Sequence, residues 1–350
     1  MKRILLLLMV LIITLACGCT SDQTFKNEDD VIKIGYIYET MTVERWRRDR
    51  DIFVSEVEKL GAVPYVKNAY EDSKRQYELG VEMIEEGVDV LVIVAYDKDD
   101  LSDLVKYAHN NNVKVIAYDR LIRNADVDLY ISFDNYKVGY LMGQAATKAV
   151  TKGDYLIVNG TQRDNNSEQI NDGYYTVMQP FINKGDIRIL GETWIDKWRD
   201  EGSYNYVSEV LSSGKIPDVI IAANDQLAEG AINALSENRL ASKVFVTGQD
   251  AELAACQRIV EGTQSMTVYK PIRILAEGAA QFAVKMAKGE DIGPCDRIFD
   301  GVYDVKCHIF QPILVTKDNI FETVIKDGFY TVEQVYANVP PSAWPKASGG

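Results

Sequence analysis

Val113-Lys-Val-Ile-Ala-Tyr-Asp-Arg120 is a short β-branched run that stops on a charged pair. Six residues of Val, Ile, Ala and Tyr with one lysine have the length and composition of a strand buried on both faces. Asp119-Arg120 then falls where such a strand would end. The stretch before it, Leu101 to Asn110, has helical periodicity, and before that Val88 to Ala95 is another apolar strand. Strand, helix and strand in sequence mean a βαβ unit and a parallel sheet.

The same grammar extends in both directions. Upstream lie a strand over Val31 to Tyr38, a helix over Val43 to Leu60, a strand over Pro64 to Ala69 and a helix over Lys74 to Glu86. A strand over Leu129 to Phe133 closes this half. The pattern then restarts, with strands expected at 155–158, 187–195, 218–223 and 244–247. Helices are expected at 138–150, 170–181, 226–235 and 253–261. Met266 to Tyr269 reads as a strand and Pro271 to Lys288 as a long helix. Residues 289–304 read as loop, His308 to Thr316 as a last strand, and the Pro/Ala/Ser/Gly-rich end, 337–350, as a disordered tail. The fold class is α/β, with two Rossmann-like lobes. About 320 residues after the leader are more than one core usually holds.

The leader is read from Met1-Lys2-Arg3, the uncharged run Ile4 to Ala16, and Leu15-Ala-Cys-Gly-Cys19 before a polar stretch. These are the regions of a secretory signal, too short for a membrane span. A small residue before a cysteine there looks like a lipidation site. Cys17 and Cys19 both fit, and Cys19 leads directly into the polar tether 20–30. Two acyl chains on that cysteine would hold the protein to a membrane surface.

A formal charge of −14 argues against a nucleic-acid partner. There is no CxxC, no Cys/His cluster of metal spacing, no GxGxxG, no P-loop and no GxSxG. The sequence therefore gives no sign of an enzyme, a cofactor or a metal. Cys295 and Cys307 are candidates either for a disulfide or for buried thiols. His109 and His308 read as structural or exposed.

In open α/β sheets ligands sit beyond the carboxyl ends of the strands. There the sequence places Asp119-Arg120, Asp164-Asn165-Asn166, Asn224-Asp225, Gln249-Asp250 and Lys270, with Arg45-Trp46-Arg47-Arg48 opening the first crossover helix. Asp, Asn, Arg and Lys satisfy hydroxyls that donate and accept, and Trp46 and Trp198 can cover apolar CH faces. That set suits a sugar. Taken singly, Asp164, Asn224 and Asp225 are equally good helix N-caps.

The segments Glu44-Arg-Trp-Arg-Arg-Asp-Arg-Asp-Ile-Phe53, Ala117-Tyr-Asp-Arg120, Tyr130-Ile-Ser-Phe-Asp-Asn135, Trp194-Ile-Asp-Lys-Trp198 and Thr263-Gln-Ser-Met-Thr-Val-Tyr-Lys-Pro271 resemble those of bacterial D-xylose-binding proteins, in order over Lys33 to Phe329. The resemblance implies the type I periplasmic-binding fold with three hinge crossings near residues 135, 268 and 300. One lobe would be 31–135 plus 269–299, the other 136–268 plus 300–336. It implies sugar contacts at Arg45, Trp46, Arg48, Asp119, Arg120, Asp164, Asn166, Trp198, Asn224, Asp250 and Lys270. Arg48 stands where the family usually has lysine, and Asn171 where a larger basic residue can stand. The implied partners are D-xylose and the permease of an ATP-binding-cassette importer, or else the extracytoplasmic domain of a sensor histidine kinase. The protein alone would be a monomer.

Overall fold

β3 (Val90–Ile93) is wholly buried, as a strand covered on both faces must be. The computed structural model describes residues 31–345. β3 lies between β1 (Lys33–Tyr38) and β4 (Lys114–Tyr118), all parallel. β2 (Val63–Asn68) flanks β1, and β5 (Leu129–Phe133) flanks β4. α1 (Glu44–Lys59), α2 (Ser73–Glu85) and α3 (Ser102–Asn110) supply the crossovers.

The second lobe has a four-stranded parallel sheet in the order β7 (Ile187–Trp194), β6 (Gly153–Asn159), β8 (Val219–Ala222), β9 (Phe245–Val246). Around it pack α4 (Asn135–Ala149), α5 (Asn165–Asn183), α6 (Asp200–Ser212), α7 (Asp225–Glu237) and α8 (Leu253–Glu261). α4 and α5 meet at glycines. A Cβ on Gly139 would run into the Ile170 carbonyl, and one on Gly173 into that of Tyr136. α6 occupies a stretch for which the sequence reading offered no element.

The chain passes between lobes at 133–135, where β5 leads into α4, and again between β10 (Thr267–Tyr269) and α9 (Ile272–Ala287). α9 returns to the first lobe, where Leu275, Ala276, Ala279 and Ala283 join the core of Phe53 and Val57. The third passage is not near residue 300. The expected loop contains β11 (Asp296–Phe299), which pairs antiparallel with β12 (Asp304–Phe310), and β12 pairs with β5. Both therefore extend the first sheet, in the order β11-β12-β5-β4-β3-β1-β2. The chain recrosses only at Gln311-Pro312, after which β13 (Ile313–Val315) pairs with β10. The apolar run read as one final strand is two, in different lobes, divided at a proline that has no N–H to continue a ladder.

Register also rules on the cysteines. Asp296 faces Cys307, so Cys295 and Cys307 lie on opposite faces of the hairpin. Cys295 instead meets His308, with Sγ and Nε2 3.4 Å apart, and Cys256, Cys295 and Cys307 are all free thiols. Nor is the whole end of the chain a disordered tail. α10 (Val332–Val335) carries a capping box from Thr331 and Gln334, and Trp344 donates from Nε1 to the Val339 carbonyl at 3.1 Å. Val339 and Trp344 pack against the buried cluster that contains Val335 and Tyr336. Residues 1–30, with Cys17, Cys19 and the tether, lie outside the described residues, as do 346–350.

Candidate functional site

The carboxyl ends of both parallel sheets face each other across a cleft. Asp119 follows β4, Gly160 follows β6, Asn224 follows β8 and Gln249-Asp250 follow β9. Asp119, Asn224, Gln249 and Asp250 surround a cavity lined also by Glu39, Thr40, Arg45, Trp46, Glu71, Tyr96, Arg120, Thr161, Asp164, Asn166, Asp196, Lys197, Trp198 and Lys270. About 40 Å³ within it is open to the centre of a water molecule.

Charge pairing organises the walls. Arg45, from the first turn of α1, donates through Nη2 to Asp119 and sits 3.6 Å from Asp49 and 3.5 Å from Asp250. Lys270, at the second hinge passage, is 2.8 Å from the same Asp250 oxygen. Arg120 reaches Glu39 at 2.6 Å and Asp164 at 2.8 Å. Asn166 donates from Nδ2 to Asp119 Oδ1 at 3.1 Å. Arg45–Asp250, Arg120–Asp164 and Asn166–Asp119 each join one lobe to the other, so the structure is the closed arrangement.

Burial sets the titration of these groups, and the partners then decide its sign. For Asp119, burial raises the carboxyl, but Arg45, Lys270 and Arg120 outweigh it and hold it below its ordinary value. For Asp164 and Glu39 burial wins over Arg120, and both are raised. Asp49, buried beneath Arg45 and accepting from the Tyr118 hydroxyl, is pushed up to about 6. Burial opposes the charge on Arg45 and Arg120, but their carboxylates prevail and keep both firmly protonated.

Two indoles complete the chamber. Trp46 donates to Glu39 at 3.1 Å and lies under the Arg45 and Arg120 guanidiniums, at 4.7 and 5.6 Å. Trp198 packs flat on Gly160, where a Cβ would overlap the six-membered ring. Left-handed backbone aims several of these groups, with φ of 62° at Asp119, 56° at Trp198 and 91° at Asp250. Five buried polar atoms of lining residues have no hydrogen-bond partner among the described residues: Arg45 Nε and Arg120 Nε, which have the Asp49 and Asp164 carboxylates at ion-pair distance, and the neutral groups Asn166 Oδ1, Trp198 Nε1 and Gln249 Oε1.

Ten of the eleven residues expected from sequence therefore line one cavity. Asp164 and Asn224 are also N-caps, accepting from the Asn166 and Leu227 N–H groups at 2.9 Å each, so cap and cavity wall are one role. Arg48 is the exception. It points away from the cleft, pairs with Glu44 at 3.3 Å and stacks on Phe329 and Tyr330 at 4.7 and 4.5 Å. It sits three positions after Arg45 on α1, but an aromatic pair from the C-terminal segment captures it. Asn171 is also elsewhere, bonded to Asn159, Tyr174 and Glu192. Glu39, Glu71, Tyr96, Thr161, Asp196 and Lys197 were missed. Glu39 directly follows β1, so the strand-end rule that found Asp119 would have found it.

Two α/β lobes, three passages between them, and a cavity walled by both define a hinged binding protein. The model of the periplasmic binding protein domain matches residues 34–291, and the chain belongs to that family. It is 42% identical over 306 residues to the D-xylose-binding periplasmic protein of Haemophilus influenzae, covering 87% of this chain and 92% of that one. Against the protein of that same name from Escherichia coli it is 43% identical over 301 residues, covering 85% and 91%. An ABC transporter solute binding protein from Clostridium phytofermentans, solved with bound β-D-glucose, superposes with a TM-score of 0.80 at 27% identity. That match covers 87% of this chain and 99% of the other.

Proposed function

We propose that this chain binds one neutral monosaccharide, D-xylose first, between its lobes, and hands it to an ATP-binding-cassette importer. The observation that carries the reading is the unpartnered neutral set Asn166 Oδ1, Trp198 Nε1 and Gln249 Oε1 on a cavity whose cations Arg45, Arg120 and Lys270 are all ion-paired. An unmet buried donor or acceptor costs about 1–3 kcal/mol, which a ligand hydroxyl recovers. The cations Arg45, Arg120 and Lys270 already have carboxylates, and the acidic groups outnumber them, so an anionic ligand is disfavoured. A compact space of this volume, grown outward by a water radius, is roughly 200 Å³, the scale of one pyranose ring and too small for two.

The similarity to two D-xylose-binding proteins over most of the chain supports the choice of sugar. Binding with release is the activity we assign. Closure couples to ligand because each lobe carries half of the wall. The function belongs outside the cytoplasmic membrane, and we assign the lipid anchor to Cys19 or Cys17. Titration calorimetry against xylose, ribose, arabinose, glucose and galactose tests the reading. Xylose should bind tightest and raise the melting temperature, and absence of heat with every sugar would refute it.

A further inference from the structure

At the mouth of the cleft, Glu71 from the first lobe receives two cations from the second. Lys197 Nζ lies 2.9 Å from Glu71 Oε2, and Arg199 Nη2 is 2.8 Å from both Glu71 oxygens. The Glu71 side chain is only 10% exposed, although the two cations reach it from solvent. Both sides are built on left-handed backbone. Tyr70 and Glu71 have φ of 54° and 61°, and Lys197 and Trp198 have 61° and 56°. None is glycine, and such conformations are disfavoured for residues that carry a Cβ. The strain is held in place by Glu71 N–H donating to the Glu39 carbonyl at 2.8 Å and by Tyr70 N–H donating to Asn68 Oδ1 at 2.9 Å.

We propose that Glu71, Lys197 and Arg199 form an electrostatic latch that holds the cleft shut and sets how long the sugar stays bound. The reading rests on sugar binding in this cleft but adds a separate element. The Glu71 carboxylate is occupied by the two cations and acts through the lobes. Lys197 and Trp198 are consecutive in one tight turn, so capture of the lysine by Glu71 also fixes the indole over the cavity. Opening the cleft must break both ion pairs, because Glu71 moves with one lobe and its partners with the other. A second bridge crosses the rim at Lys98 and Arg163: the Lys98 N–H donates to the Arg163 carbonyl at 2.9 Å and its Nζ to the Gln162 carbonyl, and Arg163 reaches the Tyr96 hydroxyl at 2.8 Å and Asp97 at 3.7 Å, so Glu71 shares the holding of the closed cleft with it.

Partly exposed ion pairs are individually weak and are screened by salt. Glu71→Gln should therefore speed sugar dissociation by about three- to tenfold. The association rate should change little, since diffusion into the open form precedes latching. The experiment is stopped-flow dissociation of D-xylose from the wild type, Glu71→Gln, and the swap Glu71→Lys with Lys197→Glu and Arg199→Glu, at low and high salt. Spin labels on the two lobes report the closed fraction without sugar. The wild type should dissociate faster as salt rises, Glu71→Gln should be fast and insensitive to salt, and the swap should recover slow, salt-sensitive release. A Glu71→Gln protein that binds xylose with the wild-type dissociation rate, salt response and lobe distances overturns the latch. If the wild type itself binds no sugar the underlying reading fails, and the lobe distances of the three proteins still decide whether Glu71 favours closure.

Discussion

Asp250→Asn isolates one charge at the centre of the site. Asp250 Oδ1 serves Lys270 at 2.8 Å and Arg45 at 3.5 Å. Lys270 is 3% exposed, and among the described residues Asp250 is its ion-pair partner. Asparagine tolerates the left-handed φ of 91° and keeps a carbonyl that still accepts from Lys270. The change therefore removes charge with little alteration of shape. Lys270 keeps its charge, so its bond to the Asn carbonyl remains charge-assisted; what is lost is the counter-charge beside a buried ammonium, which costs about 1–3 kcal/mol. The longer Arg45 contact adds less, because Asp119 and Asp49 still hold that guanidinium. The Arg45–Asp250 pair exists only when the lobes are closed, and the Lys270 ammonium is sealed from solvent on the wall of that closed cleft, so the loss falls mainly on sugar affinity and less on folding. The expected result is affinity weaker by about 10- to 100-fold, at 1.4 kcal/mol per tenfold. Titration calorimetry measures it, and calorimetric melting of the free protein should show a fall of only a few degrees. Affinity within twofold of wild type, with unchanged melting, would refute the assignment of Asp250 as the charge that ties hinge, lobes and ligand together.

Other substitutions probe the rest of the wall. Gly160→Ala should weaken sugar binding at least tenfold, as Trp198→Ala should, because the added Cβ occupies the ring's resting place; calorimetry of both reads this, and a Gly160→Ala protein binding normally would mean the indole has another seat. Arg48→Ala should leave sugar affinity within about threefold while lowering the melting temperature through loss of its stack on Phe329 and Tyr330. The latch has a defined pH sign. Burial raises the Glu71 carboxyl, but hydrogen bonds and charge from Lys197 and Arg199 outweigh it and place it below the ordinary 4.5. In the open form those cations are withdrawn and Glu71 returns to its ordinary value. Its contribution to closure is thus full above pH 4.5 and is lost as pH falls through the lowered value. Sugar dissociation from the wild type should speed up over that acid range, and the Glu71→Gln ratio should fall toward one.

The sequence alone determined the layers and the strand ends. β5 and α8 begin and end where hydrophobic periodicity put them, and most other elements fall within a few residues of expectation. The strand-end rule located Asp119, Arg120, Asp164, Asn166, Asn224, Gln249, Asp250 and Lys270 on the cavity wall, because backbone direction, fixed by βαβ connection, decides which end of a parallel strand faces the cleft. Local signals did not reach three other features. β12 and β13 belong to different lobes because sheet partners, and not the composition of His308 to Thr316, decide where an apolar strand goes. Arg48 left the site because Phe329 and Tyr330, nearly three hundred residues away in sequence, pack beside α1. Glu71, Lys197 and Arg199 read locally as ordinary surface charges; they become an ion cluster only when two lobes close. Periodicity and turn chemistry act over a few residues, whereas ion pairs across a cleft depend on distances that only the packed chain fixes.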